Sequence, residues 1–514
     1  MARNGKIILA KGIGMDKEHK NIINYSSTNM LALLRSQNHF VGEKSDYSFI
    51  SENGKDGNVI ATNFTYQECK NANYIAFQNP NYYSKWVFAF IDSVSYENNG
   101  CTKITFTVDN WATWYDDLTF KSCFVVREHV NSDTVGEHTI AEGLETGDYI
   151  VASSVADTNL TDLCIVCATS VYSALSGDYS HGQLVNGIYT GLAYVGFDTS
   201  ADGISELNSY ISSLNAKPDA IISIFMYPKA LVPGGWTTGL NAKILTTDRS
   251  TDVNTYDITI TPPSTIDGYT PKNNKLKIYP YRYMAVSNNA GTTNIMQYEY
   301  FGSTVAFTVE GVVCPGGSIR CFPKNYKGIA NNQNETITCG KFPTCAWTND
   351  SFTNWMTSNA VNLGMGVVGD IVSVAKGNYV GAITSIGNQL SQIYQHNLVP
   401  PTVKGNTNTG DVTTSSGDNT FIFYNMNIKS EMARVIDDYF TRFGYKVNSL
   451  KIPNITGRTY WNYVEIGAGE DIAFGDLPVG AMEEINNIFR SGTTIWHSHD
   501  NIGNFNLNNT IVTP

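Results

Sequence analysis

Residues 85–115 read KWVFAFIDSVSYENNGCTKITFTVDNWATWY, and they indicate the fold class of the chain. Asn98-Asn99-Gly100 separates two extended runs, and Asn-Gly between two strands is a strong hairpin signal. The first run is apolar throughout residues 86–91, which predicts a strand buried on both faces. The second run alternates apolar with polar residues, namely Ile104, Phe106 and Val108 with Thr105, Thr107 and Asp109. This alternation is expected for a half-buried strand, so the stretch predicts a β-hairpin.

The composition favours β structure over most of the 514 residues. Aromatic residues are abundant, with 30 Tyr and 23 Phe, and only 16% of the residues are charged. Aromatic and β-branched side chains favour strands, and the many Asn, Thr, Ser and Gly residues favour turns between them. We therefore expect a mainly β chain of the α+β class with few helices. The length corresponds to two or three domains.

The acidic balance of the chain limits the classes of function that it can serve. The formal net charge is −12 and the sequence pI is near 5.2. A nucleic-acid-binding surface needs clustered Lys and Arg to neutralise phosphates, so such binding is not expected to be the main function. The charge does not exclude double-stranded DNA that moves past a repelling wall without sequence-specific binding.

Cysteine usage indicates synthesis in a reducing compartment. Nine cysteines cannot all pair within one chain, so at least one has no intrachain disulfide partner. Cys164 and Cys167 form a CxxC motif inside the apolar run LCIVCATS, and the sequence has no second CxxC to complete a zinc site. We expect these two to be buried free thiols. The first residues, MARNGKIILAKG, lack the apolar core of a signal peptide, so we expect synthesis in the cytoplasm.

Changes in composition along the chain predict four segments. Residues 1–150 contain strands, and residues 151–350 form a second β-rich domain with one helix in ISELNSYISSLN. Residues 351–419 form a glycine-rich insertion of low charge, and residues 420–514 change to a mixture of helices and strands.

The last segment contains two predicted helices. Met432, Val435, Ile436, Tyr439, Phe440 and Phe443 recur at helical spacing. This amphipathic helix is expected to end at Gly444, because glycine commonly terminates helices. A shorter helix, from about Ala481 to Arg490, follows Pro478.

The insertion is the most unusual feature of the sequence. Between Asp350 and Lys404 the only formal charges are Asp370 and Lys376. Apolar residues recur at steps of three and four, as on one face of a helix: Val361, Met365, Val368, Val372, Ala375, Tyr379, Ile383, Ile386, Leu390 and Ile393. Gly377-Asn378 is a natural break that leaves two arms of about 20 residues.

Two interpretations of the insertion remain open. Asn, Gln, Ser and Thr interrupt it too often for an ordinary transmembrane helix, which needs about 20 predominantly apolar residues. A stripe of apolar and small residues suits a segment that packs against its own copies and keeps polar groups in water. The alternative is a buried helical hairpin in a soluble domain.

Two motifs resemble cofactor and metal sites. Residues 364–369, GMGVVG, match GxGxxG, but no buried strand clearly precedes them and no acidic residue follows at about twenty positions. No cofactor is therefore predicted. His497, His499 and Asp500 could ligate a metal ion, yet nothing nearby supplies the remaining ligands. We expect surface or interface histidines and no metal.

Three carboxylates could be interpreted as a glycosidase pair. Asp109, Asp116 and Asp117 flank the aromatic block DNWATWYDD. Glycosidases use two carboxylates at a defined separation, which local sequence does not fix. No catalytic residue is predicted, and the chain is expected not to be an enzyme.

A series of sequence blocks resembles one known family. YIAFQN, KWVFAFI, DNWATWYDD, FVVREHV and TIAEGLETGDY follow each other in the first segment. IKSEMARVIDDYFTRFGYKVN, GRTYWNYVE, IFRSGTTIWHS and DNIGN follow in the last segment. Together the blocks cover about residues 65–150 and 424–505. In this order they resemble the distal tail knob (tail tube tip) protein of small picovirus-type podophages of Gram-positive hosts.

The resemblance implies an architecture and a location. Segments 1–150 and 420–514 would together build one β-barrel or sandwich-like tube-wall domain, and 151–350 would form the distal part. Six copies would form a tube at the tip of the virion tail, next to a tail tube or collar protein. The genome would leave through the lumen. Synthesis would take place in the host cytoplasm.

The resemblance also implies a role for the insertion. In the family, a long hydrophobic loop from each subunit plugs the tube, leaves it on infection and helps to form a pore in the host membrane. Here that loop corresponds to about 357–403. The channel-plug and membrane residues would be Val361, Met365, Val368, Val372, Tyr379, Ile383, Ile386, Leu390 and Ile393.

Two other functions remain as alternatives. The chain could be a tail-associated cell-wall hydrolase, with the hydrolase carried by residues 151–350. It could also be a host-receptor-binding tail protein whose residues 151–350 present loops to a surface carbohydrate.

Overall fold

The computed structural model describes residues 5–45, 47–50, 58–78, 85–169, 184–185, 188–189, 193–213, 221–245, 254–313, 318–339, 344–346, 412–413 and 420–512. The chain divides into two compact units. Unit 1 comprises Met1–Glu145, Pro271–Leu276 and Glu431–Pro514, and unit 2 comprises Thr146–Thr270 and Lys277–Ser430. Most elements are strands, so the prediction of a mainly β chain is confirmed.

In the described residues of its first part, unit 1 has ten strands and three short α-helices. The strands are β1 Ile7–Ala10, β2 Asn21–Ile23, β3 Phe40–Lys44, β4 Tyr47–Ile50, β5 Val59–Thr62, β6 Tyr74–Gln78, β7 Trp86–Asn98, β8 Cys101–Val108, β9 Leu118–Phe120 and β10 Cys123–Glu128. The helices are α1 Ser27–Leu34, α2 Tyr66–Cys69 and α3 Asn110–Trp114. Seven of the strands form an antiparallel sheet in the order β3-β1-β6-β7-β8-β5-β4.

The predicted hairpin is present as β7 and β8. Asn98 lies opposite Cys101, and the side-chain oxygen of Asn98 accepts a hydrogen bond from Gly100 N at 2.9 Å. The apolar run at the start of β7 is buried at Phe88, Ala89 and Phe90 because the sheet has a hydrophobic core on each face. Ala89 packs into one core, whereas Phe88 and Phe90 pack into the other.

Asp109 departs from the alternation predicted for the second strand. It lies just beyond β8 and is fully buried, although its position in the pattern indicated an exposed side chain. The carboxylate accepts hydrogen bonds from Ala112 N at 3.0 Å and Tyr74 Oη at 2.7 Å. It is therefore the N-cap of α3, which explains its burial.

Among its described residues, unit 2 contains the next seventeen strands and one α-helix. The strands are β11 Tyr149–Ala156, β12 Leu163–Thr169, β13 Leu184–Val185, β14 Ile188–Tyr189, β15 Ala193–Asp198, β16 Ile221–Pro228, β17 Ala242–Ile244, β18 Asn254–Ile260, β19 Arg282–Ser287, β20 Thr293–Met296, β21 Phe301–Gly311, β22 Ile319–Tyr326, β23 Ile329–Asn331, β24 Ile337–Cys339, β25 Thr344–Ala346, β26 Val412–Thr413 and β27 Ile422–Ile428. The helix is α4 Ala201–Ser213, as ISELNSYISSLN predicts.

Three larger sheets and one two-stranded sheet, β13-β14, organise unit 2. Their orders are β17-β15-β12-β16-β25-β26, β11-β27-β19-β20, and β18-β21-β22-β23 with β24 paired to β22. The middle of the first is β12, whose residues are all buried. Cys164 and Cys167 lie on this strand as free, buried thiols, as predicted. Burial raises the pKa of both thiols, that of Cys167 to about 12, so they are not nucleophiles at neutral pH.

The chain returns to unit 1 for its last elements. These are α5 Ser430–Phe443, β28 Tyr445–Lys451, β29 Trp461–Ile466, β30 Ala473–Gly475, α6 Val479–Arg490 and β31 Thr493–Trp496. Four of them join N-terminal strands in two sheets of order β2-β31-β29-β10-β28 and β30-β9. N-terminal and C-terminal strands thus share sheets.

Helices α5 and α6 lie where the sequence predicts them, but the buried face of α5 is different. Ala433, Ile436, Asp437 and Phe440 are buried, whereas Val435 is 62% exposed. The helix is oriented so that the carboxylate of Asp437 faces the segment Pro271–Leu276. Gly444 ends the helix as predicted, with a φ of 65° and its N–H donating to Phe440 O at 2.8 Å.

Candidate functional site at the sheet edge that carries the insertion

Two neighbouring strands of unit 2 flank the low-charge part of the insertion. β25 ends at Ala346 and β26 begins at Val412, on either side of the low-charge segment. The two strands pair antiparallel, with Thr344 opposite Thr413 and Cys345 opposite Val412. Ala346 and Val412, which flank residues 347–411, therefore lie on adjacent strands at the edge of the six-stranded sheet.

This edge is connected to the most buried part of unit 2. β25 pairs antiparallel with β16 through Ser223 and Ala346, and β16 pairs with β12 along the whole of β12. β12 and the paired part of β16 belong to the principal hydrophobic core of the unit. A buried sheet thus anchors the two strands that flank residues 347–411.

The nine predicted channel-plug residues lie outside the described residues. They are Val361, Met365, Val368, Val372, Tyr379, Ile383, Ile386, Leu390 and Ile393. The GxGxxG match at 364–369 lies outside them as well. No helix within the described part of the chain is long and apolar enough to span a bilayer.

The three aspartates that could supply a glycosidase pair each contact another group of unit 1. Asp109 caps α3 and also contacts His19 Nε2 at 3.3 Å. Asp116 accepts a hydrogen bond from Ser27 N at 2.8 Å, and Asp117 forms an ion pair with Lys85. Burial lowers the pKa of His19, but the hydrogen bond and charge of Asp109 outweigh burial and raise it overall. These contacts stabilise the local fold and give each of the three carboxylates a structural partner.

The fold places His497 apart from His499 and Asp500, the other residues of the possible metal motif. His497 Nε2 contacts Ile455 O at 3.2 Å, whereas His499 and Asp500 approach His39 from the N-terminal part of unit 1. Potential ligand atoms of His39, His499 and Asp500 lie within 4.8 Å of one another. This grouping replaces the local one that the sequence suggested.

Hydrogen bonds at His499 do not fit a metal ion. Gly14 N donates to His499 Nε2 at 3.1 Å, so Nε2 carries the lone pair and the proton of the neutral ring is on Nδ1. Nδ1 is the atom that faces Asp500, at 3.7 Å, and a protonated nitrogen cannot ligate a metal. Burial and the neighbouring His39 lower the pKa of His499, which keeps the ring neutral. We assign no metal to this group.

Sequence reasoning missed a buried charge cluster in unit 1. The carboxylate of Glu142 is fully buried and pairs with Arg127 and Lys275, and it accepts a hydrogen bond from Lys446 N at 2.9 Å. Lys275 Nζ also lies 5.1 Å from the ring centroid of Tyr445. Burial lowers the pKa of Lys275, although the contact with Glu142 acts in the opposite direction.

A second buried carboxylate contacts the segment Pro271–Leu276, which also contains Lys275 and is called the crossing segment below. Asp437 on α5 accepts hydrogen bonds from Lys272 N at 2.7 Å and from Asn273 N at 3.1 Å. The side chain of Asn273 donates to Asp437 at 2.7 Å. Pro271–Leu276 is flanked on both sides by unit 2 sequence, so these contacts fix a short excursion of the chain within unit 1.

Comparisons with known proteins agree over nearly the whole chain. The family model for the C-terminal domain of tail knob protein gp9 of Bacillus phage phi29 matches residues 247–510, which is more than half of the chain. The model for the N-terminus of the caudoviral major tail protein matches residues 3–119. Tail knob protein gp9 of Bacillus phage B103 is 26% identical over 88% of this chain and 90% of its own length. Tail knob protein gp9 of Bacillus phage phi29 is 25% identical over 86% of this chain and 88% of its own length.

A solved structure shares the fold. The tail knob protein gp12 of bacteriophage C1 superposes with a TM-score of 0.65 and covers 99% of this chain and 100% of its own. The two sequences are 14% identical, so this match concerns the fold alone. These proteins are named for a structural part of the phage tail and not for a reaction.

Proposed function

This chain belongs to the phage tail knob protein family, and we propose that it forms a hexameric tube at the distal tip of a short phage tail. The genome leaves through the lumen of this tube. The insertion of each subunit plugs the channel before infection and helps to penetrate the host membrane afterwards. Segments 1–150 and 420–514 form the tube wall, and 151–350 forms the distal part.

The observation that carries the proposal for the insertion is the pairing of β25 with β26. Because Ala346 and Val412, which flank residues 347–411, lie on paired strands, the insertion can change its position without separating these strands. A low-charge apolar stripe exposed to water is an aggregation hazard, so shelter before use is expected. A lumen lined by six copies offers this shelter and supplies the partners that the stripe requires.

Exposed apolar side chains on unit 1 support assembly into a homo-hexamer. β28 lies at one edge of its sheet, and Leu450 on this strand is 74% exposed. Phe124, directly opposite Leu450 on β10, is exposed, and Ile452 just beyond β28 is exposed as well. Clustered exposed apolar residues commonly mark protein–protein contacts. We assign this patch to contacts between neighbouring subunits.

The negative charge of the chain suits a channel for DNA. A net charge of −12 gives the wall the same sign as the phosphate backbone, so double-stranded DNA is repelled and not retained. Further partners are the neighbouring tail tube or collar protein and the host membrane. The protein is made in the host cytoplasm and acts in the virion.

The assembly is tested by native mass spectrometry of the purified chain and of tails. The wild type is expected as a hexamer, and Leu450→Asp is expected to shift it to smaller species because a charge would be buried in the contact. Ile329→Asp is the matched control, because Ile329 is also an exposed apolar residue on a short strand but lies in unit 2. A wild-type monomer under all conditions, assembled tails included, would contradict the proposal.

A further inference from the structure

Unit 2 contains a pocket whose lining residues lie outside the insertion. Its volume is about 450 Å³, which lies in the range of small-ligand sites. The wall combines one tryptophan with charged and neutral polar residues from three parts of the chain: Thr158, Asn159, Asp162, Asp198, Lys229 and Trp236. Each of these parts is fixed by contacts outside the pocket.

Packing against the core and against β15 fixes the position of the tryptophan. Trp236 is half-buried and packs against the principal core of unit 2. A Cβ atom at Gly196 on β15 would lie 2.9 Å from its ring, so the ring fits closely against this strand only because residue 196 is glycine. The part of the ring that lines the pocket is therefore presented in a fixed position.

The loop that carries Trp236 is fastened by a lysine. Lys243 Nζ on β17 donates to Pro233 O at 2.9 Å and also to Gly235 O. Gly234 and Gly235 both have positive φ angles, near 70°, which glycine adopts without strain. The loop is thus held to the sheet by hydrogen bonds from Lys243, which does not line the pocket.

The charges in the pocket are paired with each other. Lys229 Nζ lies 2.9 Å from Asp162 Oδ1 and 2.7 Å from Asp198 Oδ2. Its distance to the ring centroid of Trp236 is 5.9 Å, so ring and charges share one cavity. Burial lowers the pKa of Lys229, but the hydrogen bonds and charges of the two carboxylates outweigh burial and raise it. The triad has one excess negative charge.

An aromatic surface beside carboxylate, amide and hydroxyl groups indicates the chemical class of ligand that fits this pocket. A sugar ring has apolar C–H faces that pack on an aromatic ring, and its edge carries hydroxyls that donate to carboxylates and accept from amides. The excess negative charge disfavours phosphate and other anions. We propose that this pocket binds a neutral saccharide, with Trp236 as the packing surface and Asp162 as an acceptor for ring hydroxyls.

Saturation-transfer NMR on the full-length protein tests the proposal. The probes are the methyl glycosides of glucose, galactose, rhamnose and N-acetylglucosamine, with glycerol phosphate as an anionic comparison. At least one glycoside is expected to receive saturation, and glycerol phosphate is not. Trp236→Ala and Asp162→Ala are each expected to weaken binding by roughly tenfold or more, which corresponds to the loss of one good contact.

A matched variant separates the pocket from general effects. Asp162 is 69% exposed, so Asp162→Ala is expected to fold normally even if Trp236→Ala does not. Asp148→Ala is the control, because Asp148 is an exposed aspartate in the same unit that pairs with Lys429 and does not line the pocket. Binding of no glycoside, preferential binding of glycerol phosphate, or equal binding by wild type and the Asp162→Ala variant would each overturn the proposal. None of these results tests the proposed hexameric tube, which native mass spectrometry tests separately.

Discussion

The buried carboxylate of Glu142 forms ion pairs with Arg127 and Lys275. Because this group is buried, it contributes to the fold and not to a surface function. Two cations compete for one carboxylate, and the aromatic rings of Tyr439 and Tyr445 lie beside them at centroid distances of 5.0 and 5.1 Å. Ring faces attract cations, which offsets part of the excess positive charge. The group joins β10, the crossing segment and the start of β28, so its role is to hold three distant parts of unit 1 together.

Glu142→Ala is expected to destabilise unit 1 strongly. Removing one partner of a buried ion pair leaves uncompensated charge, which costs about 3–5 kcal/mol. Glu137→Ala, in the same loop but exposed, is expected to cost less than about 1 kcal/mol. Urea unfolding followed by tryptophan fluorescence measures both, because Trp111, Trp461 and Trp496 are fully buried in unit 1. Equal midpoints for the two variants would show that the cluster does not act as described.

The buried His129 leads to a prediction of how the stability of unit 1 depends on pH. The ring is fully buried, with Nδ1 accepting from Tyr463 N at 2.8 Å and Nε2 in contact with Thr441 O at 3.1 Å, so both positions are taken by the neutral form. Burial and the charge of Arg458 lower its pKa to about 3. Below about pH 6.5 the unfolded chain takes up a proton that the folded chain does not, until the pH reaches about 3.

Stability of unit 1 is therefore expected to fall as the pH decreases through this window. The contribution of His129 is up to about 1.4 kcal/mol per pH unit, because the unfolded state binds the extra proton. His129→Gln cannot titrate, so its free energy of unfolding should depend less steeply on pH between about 6 and 4. Urea unfolding at several pH values measures the two slopes. Parallel slopes for the variant and the wild type would exclude this role of His129.

Roles of this kind could largely not be predicted from the sequence. Asp109, Glu142 and Asp437 are charged, and charged residues are usually exposed. Their burial depends on partners far along the chain; Lys275 is 133 residues from Glu142. The cysteines of β12 were predicted correctly because the apolar run around them is a local signal. Metal and glycosidase sites were considered from local groups of residues, and the fold gave those residues other partners.

At the scale of elements, local signals located the hairpin and the helices. Asn99-Gly100, the spacing of apolar residues in α5, Pro478 before α6 and Gly444 after α5 all lie where the sequence predicts a turn or an end. The face of α5 was predicted incorrectly at Val435, because periodicity does not reveal that Asp437 faces a distant polar segment. The edge formed by β25 and β26 was not predicted either. These strands have three and two residues, too few to show a period.

Gly444 provides a test of the end of α5. A Cβ at this position would lie 2.1 Å from Glu128 O, and the positive φ adds strain for any other residue. Gly444→Ala is expected to cost about 3–5 kcal/mol from strain and overlap together. Gly469 also has a positive φ but no atom within 4 Å of such a Cβ, so Gly469→Ala should cost only about 1–2 kcal/mol. Thermal unfolding compares them, and similar losses would mean that overlap with β10 is not important.

At the scale of the whole molecule, the family resemblance was read from blocks that the fold gathers mainly into unit 1. The comparisons confirm it over most of the chain. The excursion Pro271–Leu276 into unit 1 could not be foreseen, because six mostly polar residues carry no fold signal. The assignment of the outer segments to the tube wall and of the middle segment to the distal part stays a prediction.

The central claim is that the insertion carries the membrane activity of a tail tube. Replacing residues 346–411 by Asn-Gly would join Cys345 to Val412, the last paired residues, through a two-residue hairpin turn. This variant should fold and assemble like the wild type, which native mass spectrometry checks. A second, full-length variant changes Ile383, Ile386 and Leu390 to Ser and removes part of the apolar stripe. Its control changes the polar residues Ser391 and Gln395 to Ala.

Dye release from liposomes, measured at neutral and acidic pH, tests the claim most directly. The intact protein and the polar-residue control are expected to release the dye, whereas the hairpin variant and the serine variant are not. Release by the hairpin variant at the wild-type rate would show that the activity lies outside the insertion. Absence of release by the intact, assembled protein would reduce it to a passive tube whose membrane step belongs to another component.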